Sequence, residues 1–198
     1  TAFFVYSLSI SLLLNFKKFL DKAYICAALT KLFMLQKLKI NSAKKVVEEK
    51  LLSRRPKAIK TMQNIGVIID AEVLQNLQLE DLKKAFQSFS GSVSYIILSE
   101  KEIEGEKVVK KKDLAWKASF KPETAANEFQ QQEFDLLINY FKEVKPELFI
   151  LSGSTSAKLK TGFSLEEKQL NDLEINVKPE EVSLFTSEVK KYLSIINQ

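Results

Sequence analysis

Ile65-Gly66-Val67-Ile68-Ile69-Asp70 is the stretch on which the fold turns. It is a continuous apolar run rich in β-branched residues, and it ends abruptly on an acid. A strand with one wet face alternates polar and apolar residues. An unbroken run is buried on both faces, as in the centre of a parallel sheet. Beyond it, Leu79, Leu82, Phe86 and Phe89 recur at spacings of three, four and three, which is one face of a helix, and Gly91 is placed to close it. Val93 to Leu98 is a second apolar run. Strand, helix and strand together have the length of a βαβ crossover.

The pattern continues toward the C-terminus. Val108-Val109 reads as a short edge strand, and Pro122 opens a helix toward Gln132. Phe134 to Asn139 is the next strong strand. Leu148 to Leu151 is too short for periodicity to decide between a strand and a helix starting at Pro146. Lys158–Phe163 and Leu173–Val177 read as two further strands. Pro179, Glu180 and Glu181 begin a last helix whose apolar face is Val182, Phe185, Val189, Leu193 and Ile196. Alternating strands and helices predict a three-layer α/β domain over residues 63–198 with a mostly parallel sheet.

Upstream the texture differs. Residues 34–62 carry nine Lys/Arg against two Glu and read as a basic helix, with Leu35, Leu38, Val46, Val47, Leu51 and Leu52 apolar and Pro56 near its end. Such a helix either touches an anionic surface or packs on its own domain through the Leu/Val stripe; the second is the expectation. Residues 63–198 hold 17 Lys/Arg against 22 Asp/Glu. The basic character therefore belongs to the N-terminal third, and the body of the domain gives no electrostatic argument for nucleic acid. Residues 1–33 are an apolar extension. Met34-Leu35-Gln36-Lys37-Leu38-Lys39 is read as the natural start, which makes the protein cytoplasmic. The alternative is an inner-membrane anchor through residues 1–16, which is short for a span of about 20 residues.

Composition restricts the chemistry. There is no His, so no Ser-His-Asp triad, and Cys26 is the only cysteine, so no internal disulfide or cysteine-based zinc cluster. No carboxylate spacing compels a metal site, although Asp70, Asp135 and Asp172 are candidates to converge, and no cofactor is expected. Ligands of parallel sheets bind at the carboxyl ends of the strands. That rule selects Asp70, Ser99, Glu100, Asn139 and Tyr140. The hydroxyl-rich Ser152-Gly153-Ser154-Thr155-Ser156 adds Ser152, Ser154 and Thr155 as ligand candidates, without the second Gly and Lys-Ser/Thr of a Walker loop. A generic turn or helix end is the plainer reading of that segment. Trp116, after Lys110–Lys112, is either a partner anchor or a half-buried core residue; half burial is the expectation.

Ile65–Asp70, Phe134–Tyr140, Ser156–Phe163 and Asn171-Asp172-Leu173-Glu174-Ile175-Asn176 together resemble an uncharacterised domain-of-unknown-function family found mainly in the Bacteroidota. The likeness covers roughly Met34 to Gln198 and carries no catalytic residue with it. Phe134–Tyr140 followed by Ala157-Lys158-Leu159-Lys160-Thr161-Gly162-Phe163 also resembles the N-terminal domain of heptosyltransferase-like glycosyltransferases. That likeness implies a Rossmann-like sheet and, since a second nucleotide-sugar domain is missing from the chain, half of such an enzyme. The sequence thus supports a non-catalytic cytoplasmic binding or adaptor domain with a protein partner. Its alternatives are a small sugar- or nucleotide-binding domain, or a membrane- or nucleic-acid-associated protein acting through residues 34–62.

Overall fold

A computed structural model of the chain describes residues 34–35, 37–167 and 169–196. The membrane-anchor reading of residues 1–16 lies outside the described residues. Among the described residues, no helix is long and apolar enough to cross a membrane. Compact packing divides the chain at residue 41, and the sheet belongs to the unit Ser42–Gln198.

Six strands form one all-parallel sheet: β1 (Asn64–Asp70), β2 (Ser92–Leu98), β3 (Val108–Val109), β4 (Glu133–Tyr140), β5 (Ser156–Phe163) and β6 (Leu173–Ile175). Their order is β3-β2-β1-β4-β5-β6. This is the order of doubly wound dinucleotide-binding sheets, in which the chain reverses direction across the sheet between β1 and β4. The expected α/β architecture is therefore present, with every strand parallel. Ile65, Val67, Ile68 and Ile69 are all fully buried, as an apolar run at the sheet's centre requires.

A helix over residues 37–53 (α1) precedes the sheet. It is followed by α2 (Leu79–Gln87), α3 (Ala125–Gln130), α4 (Pro146–Ser154) and α5 (Val182–Ile196). One sheet face presents Ile65, Val67, Ile69, Leu136, Ile138, Tyr140, Leu159 and Phe163 to α2 and α5. Phe86, Tyr140, Phe163 and Phe185 interlock there, Tyr140 lying 5.4 Å from Phe86 and 5.2 Å from Phe185, both edge-on. Each such buried side chain contributes about 1.5–3 kcal/mol. Gly66 belongs to the opposite face, where a Cβ would crowd Leu137, Phe129 of α3 and Phe134.

Helix α4 is buried from Glu147 to Gly153 because it has a neighbour on each side. α1 lays Ala43, Val47 and Leu51, at spacings of four, against it. A Cβ on Gly153 would overlap Val47, so this glycine sets how closely the two helices approach. The basic helix therefore packs on its own domain, but through a narrower stripe than expected, since Val46 and Leu52 stay exposed.

Several local expectations shift. Leu148–Leu151 is helix. The helix expected from Pro122 is Ala125–Gln130, because Thr124 accepts a hydrogen bond from the Asn127 N–H and fixes the start. α5 starts at Val182, beyond Pro179, with Ile196 exposed at its frayed end. Gly91 lies outside α2, which ends at Gln87 on a Ser88 cap. Among the described residues, the crossovers β2–β3 and β5–β6 contain no helix.

Candidate functional site

The carboxyl ends of β1 and β4 flank a crevice of about 190 Å³ lined by Asp70, Glu72, Val73, Asn76, Lys142, Glu143, Pro179 and Glu180. It sits where the order of strands reverses, the place at which sheets of this type bind ligands. Asp70 ends β1, and one carboxylate oxygen accepts the Glu72 N–H, capping the 3-10 turn Ala71–Gln75. The other pairs with Lys145 Nζ at 2.7 Å, and Lys145 also reaches Glu72 at 2.7 Å. Burial alone would lower the Lys145 pKa, but its hydrogen bonds to Asp70 and Glu72 outweigh this and hold it above the usual lysine value. Lys145 stands immediately before α4, so the pair ties the end of β1 to the start of that helix.

The first β–α turn is where sheets of this order cradle a pyrophosphate on glycine N–H groups. Here it is Asp70-Ala71-Glu72-Val73-Leu74-Gln75, with no glycine, two carboxylates and a 3-10 turn filling the space before α2. Four carboxylates and one lysine, Lys142, line the crevice, and Lys145 pairs with two of the four, Asp70 and Glu72.

The other sequence candidates are placed as follows. Tyr140 is a core residue, with its hydroxyl donating to Pro179 O at 2.6 Å. Burial raises its pKa well above the ordinary tyrosine value, with Glu180 adding to the effect. The hydrogen bond anchors one wall of the crevice from beneath. Asn139 lies on the other sheet face, fully buried. Its Nδ2 donates to Asn171 Oδ1 at 2.7 Å, and Asn171 Nδ2 donates to Phe163 O. Gly162 makes room for this bridge, since a Cβ there would stand 2.5 Å from Asn139 O and 2.8 Å from Asn171 Nδ2. Ser99 bonds locally to Lys101, and Glu100 reaches the Lys111 N–H.

Ser152 and Ser154 are not in a loop. They form the last turn of α4, and Thr155 follows as its cap. Ser154 Oγ donates to Ile150 O and Thr155 Oγ1 to Leu151 O, bonds back into the helix. This turn leads directly into Ser156, the first residue of β5, and so lies at the amino end of the sheet. Asp70 and the serine-rich segment are thus at opposite ends, as the parallel topology dictates.

That amino end has its own network. Lys160 is fully buried and donates its ammonium to Ser152 O, at the C-terminus of α4, where the helix dipole favours a cation. Burial, with Arg54 and Lys50 nearby, pulls its pKa down to about 7 against the attraction of Asp172. Lys50 donates to Ser154 O. Asp172 accepts the Lys160 N–H at 2.7 Å and pairs with Arg54 at 2.6 Å. Asp135 accepts the Gln63 and Asn64 N–H groups and pairs with Lys158 at 2.6 Å. Burial would raise its pKa, but Lys158 and the two amides hold it below the usual aspartate value. Asp70, Asp135 and Asp172 therefore do not converge, and among the described residues no group of three or more acidic or cysteine side chains could hold a metal ion.

Sequence reasoning reached Asp70 but missed Lys142, Glu143, Lys145 and Glu180. The first three follow β4 within five residues, so the strand-end rule, extended from strand residues to the loop behind them, would have found them. Glu180 showed only its helix-start signal. Trp116, expected half-buried, is 53% exposed.

Neither the curated proteins nor the solved structures give a match to the chain. A family model matches residues 39–196, nearly the whole of the described chain, and the protein belongs to that family, a family of unknown function (DUF6913).

Proposed function

We propose that the domain is a non-catalytic binding or adaptor module whose ligand-facing site is the crevice at the ends of β1 and β4. One observation carries this reading: the strand order supplies a binding position, while the turn that would hold a phosphate there is acidic, glycine-free and closed by the Asp70–Lys145–Glu72 pairing. Asp70 has both oxygens engaged, so acid–base work would first require breaking the contacts that hold β1 to α4. Four carboxylates and one lysine line the crevice, and even with Lys145 paired to Asp70 and Glu72 the balance is acidic, which favours a ligand bearing positive charge over a nucleotide.

The residues behind the glycosyltransferase likeness support the same reading. Lys160 caps α4, Gly162 admits Asn171 and Phe163 fills the core. Each has a structural task. An anionic-surface role for residues 34–62 is less well supported, because Lys50 and Arg54 are spent on the domain's own carbonyls and on Asp172.

Thermal unfolding of the purified chain with nucleoside triphosphates, nucleotide-sugars and spermidine tests the proposal. Nucleotides are expected to leave the midpoint unchanged. Spermidine is expected to raise it, and Asp70→Asn to abolish the rise. Turnover of a nucleotide-sugar that depends on Asp70 would overturn it.

A further inference from the structure

The segment 107–121 is an anomaly of charge. It holds six lysines and one aspartate inside a domain that is acidic overall. Its centre is a small hairpin: Leu114 bridges Phe120 antiparallel, the Ala115 N–H bonds to Ser119 O, and the Lys121 N–H bonds to Asp113 O. Trp116 projects from the turn.

The turn is held in an unfavourable backbone conformation. Lys117 and Ala118 have φ of +58° and +57°, two successive left-handed residues where neither is Gly or Asn. Ser119 Oγ donates to Trp116 O, and Gln130 donates to Ala118 O from α3. Leu114, Ala118 and Phe120 are buried beneath. The surrounding structure thus over-determines a strained turn whose outer residue is an exposed indole, a pattern that accompanies function. Lys111, Lys117 and Lys121 form no ion pair among the described residues.

Elsewhere on the same unit is the complementary shape. Leu51, Leu52 and Phe149 floor a groove of about 430 Å³, bordered by Glu48, Glu166 and Glu167. None of these three carboxylates has an ion-pair partner among the described residues. Lys44 lies 5.8 Å from the Phe149 ring centre, so the lining remains net acidic. The volume falls within the roughly 300–1,000 Å³ of pockets that enclose small organic groups. An indole is one such group.

We propose that this chain self-associates, the Trp116 hairpin of one copy entering the Leu51–Leu52–Phe149 groove of another. The apolar groove takes the indole, and the lysines around the hairpin meet Glu48, Glu166 and Glu167. A convex tip with one aromatic fits a hole on a folded surface. It lacks the groove and successive stacking platforms of a single-strand binder, and it has no second exposed apolar residue to enter a bilayer. Knob and hole share no residue. The contact is therefore heterologous unless a two-fold axis closes it reciprocally. It is also independent of the crevice, so its failure would leave the binding reading untouched.

Trp116 is the only tryptophan, so its emission reports the knob directly. The full chain is examined by sedimentation velocity and fluorescence over a concentration series at low and high salt. Association with a blue shift is expected, weakening as salt rises. Trp116→Ala and Leu52→Asp change exposed side chains, and each alone should sediment as a monomer. Mixed, they hold one intact knob and one intact hole, and should form a one-to-one complex in which the Leu52→Asp protein's emission moves to the blue. Glu166→Lys with Glu167→Lys is a second way to disable the hole. A mixture that stays monomeric, or association that persists in Trp116→Ala, would overturn the pairing. A wild-type monomer whose emission shifts only with single-stranded RNA or anionic vesicles would overturn it too, and would give the knob to that ligand.

Discussion

The two ends of the sheet are built differently. At the amino end the buried charges are engaged with the backbone: Asp135 holds the Gln63 and Asn64 amides, Asp172 the Lys160 amide, and Lys160 and Lys50 the last carbonyls of α4. At the carboxyl end, beyond the Asp70–Lys145 tie, Lys142, Glu143 and Glu180 border an open crevice without an ion pair among the described residues. A parallel sheet gathers all its strand starts at one end and all its strand finishes at the other. This chain puts its rigidity at the first and its unspent charge at the second. Substitutions at the amino end and around its helix contacts should therefore cost stability, and those in the crevice should cost binding.

Gly162→Ala tests the limit of the contrast, since Gly162 lies near the carboxyl end of β5 but outside the crevice, and it should cost the most stability. Its Cβ would press on the backbone of Asn139 and displace Asn171, for a loss of about 3 kcal/mol in urea denaturation. A loss under about 0.5 kcal/mol would show that the β5–β6 junction yields easily. Gly153→Ala should cost about 2 kcal/mol by pushing Val47 and α1 away from α4. Adding Val47→Ala should recover part of that loss, and an additive double variant would refute the contact as the cause.

Lys160 gives a pH test with a definite sign. Its folded pKa of about 7 lies below the 10.5 of the unfolded chain, so between those values the unfolded state binds the extra proton. Stability relative to Lys160→Met should therefore rise with pH from about 7 toward 10.5 and stay flat below that window. A difference that fell with rising pH would mean the buried ammonium keeps its proton at the α4 carbonyls. Asp70→Asn should have the smallest effect on stability, about 1 kcal/mol or less. Lys145 is partly exposed, and an asparagine can still cap the 3-10 turn. Its effect on ligand binding should be the larger one.

Legibility in the sequence followed the same division. Ile65–Ile69 announced a central strand because burial on both faces leaves an unbroken apolar run, and Leu136-Leu137-Ile138 marked a second strand in the same way. Periodicity identified α2 and α5 because each has one wet face. It failed for α4, whose residues are apolar all round because α1 covers the side turned away from the sheet. Ser152–Thr155 read as a ligand loop or, more plainly, as a turn or helix end, because hydroxyl residues favour turns, and the helix end is what forms. The Ser154 and Thr155 hydroxyls bond to Ile150 O and Leu151 O there. Asp70 was found from its place after a strand. Its partner Lys145 is 75 residues away in sequence, and no spacing rule joins the two. The left-handed pair Lys117-Ala118 gave no sign at all, since glycine or asparagine is the usual mark of such a turn.

The proposed site, the crevice between β1 and β4, is expected to take a cation and to refuse phosphate. Amide chemical-shift mapping of the labelled chain tests it most directly, with ATP and spermidine added in separate titrations. Spermidine is expected to shift the amides of Asp70, Glu72, Glu143 and Glu180 in a saturable way, while ATP leaves them in place. Saturable shifts of the Asp70–Gln75 amides with ATP, and none with spermidine, would contradict it.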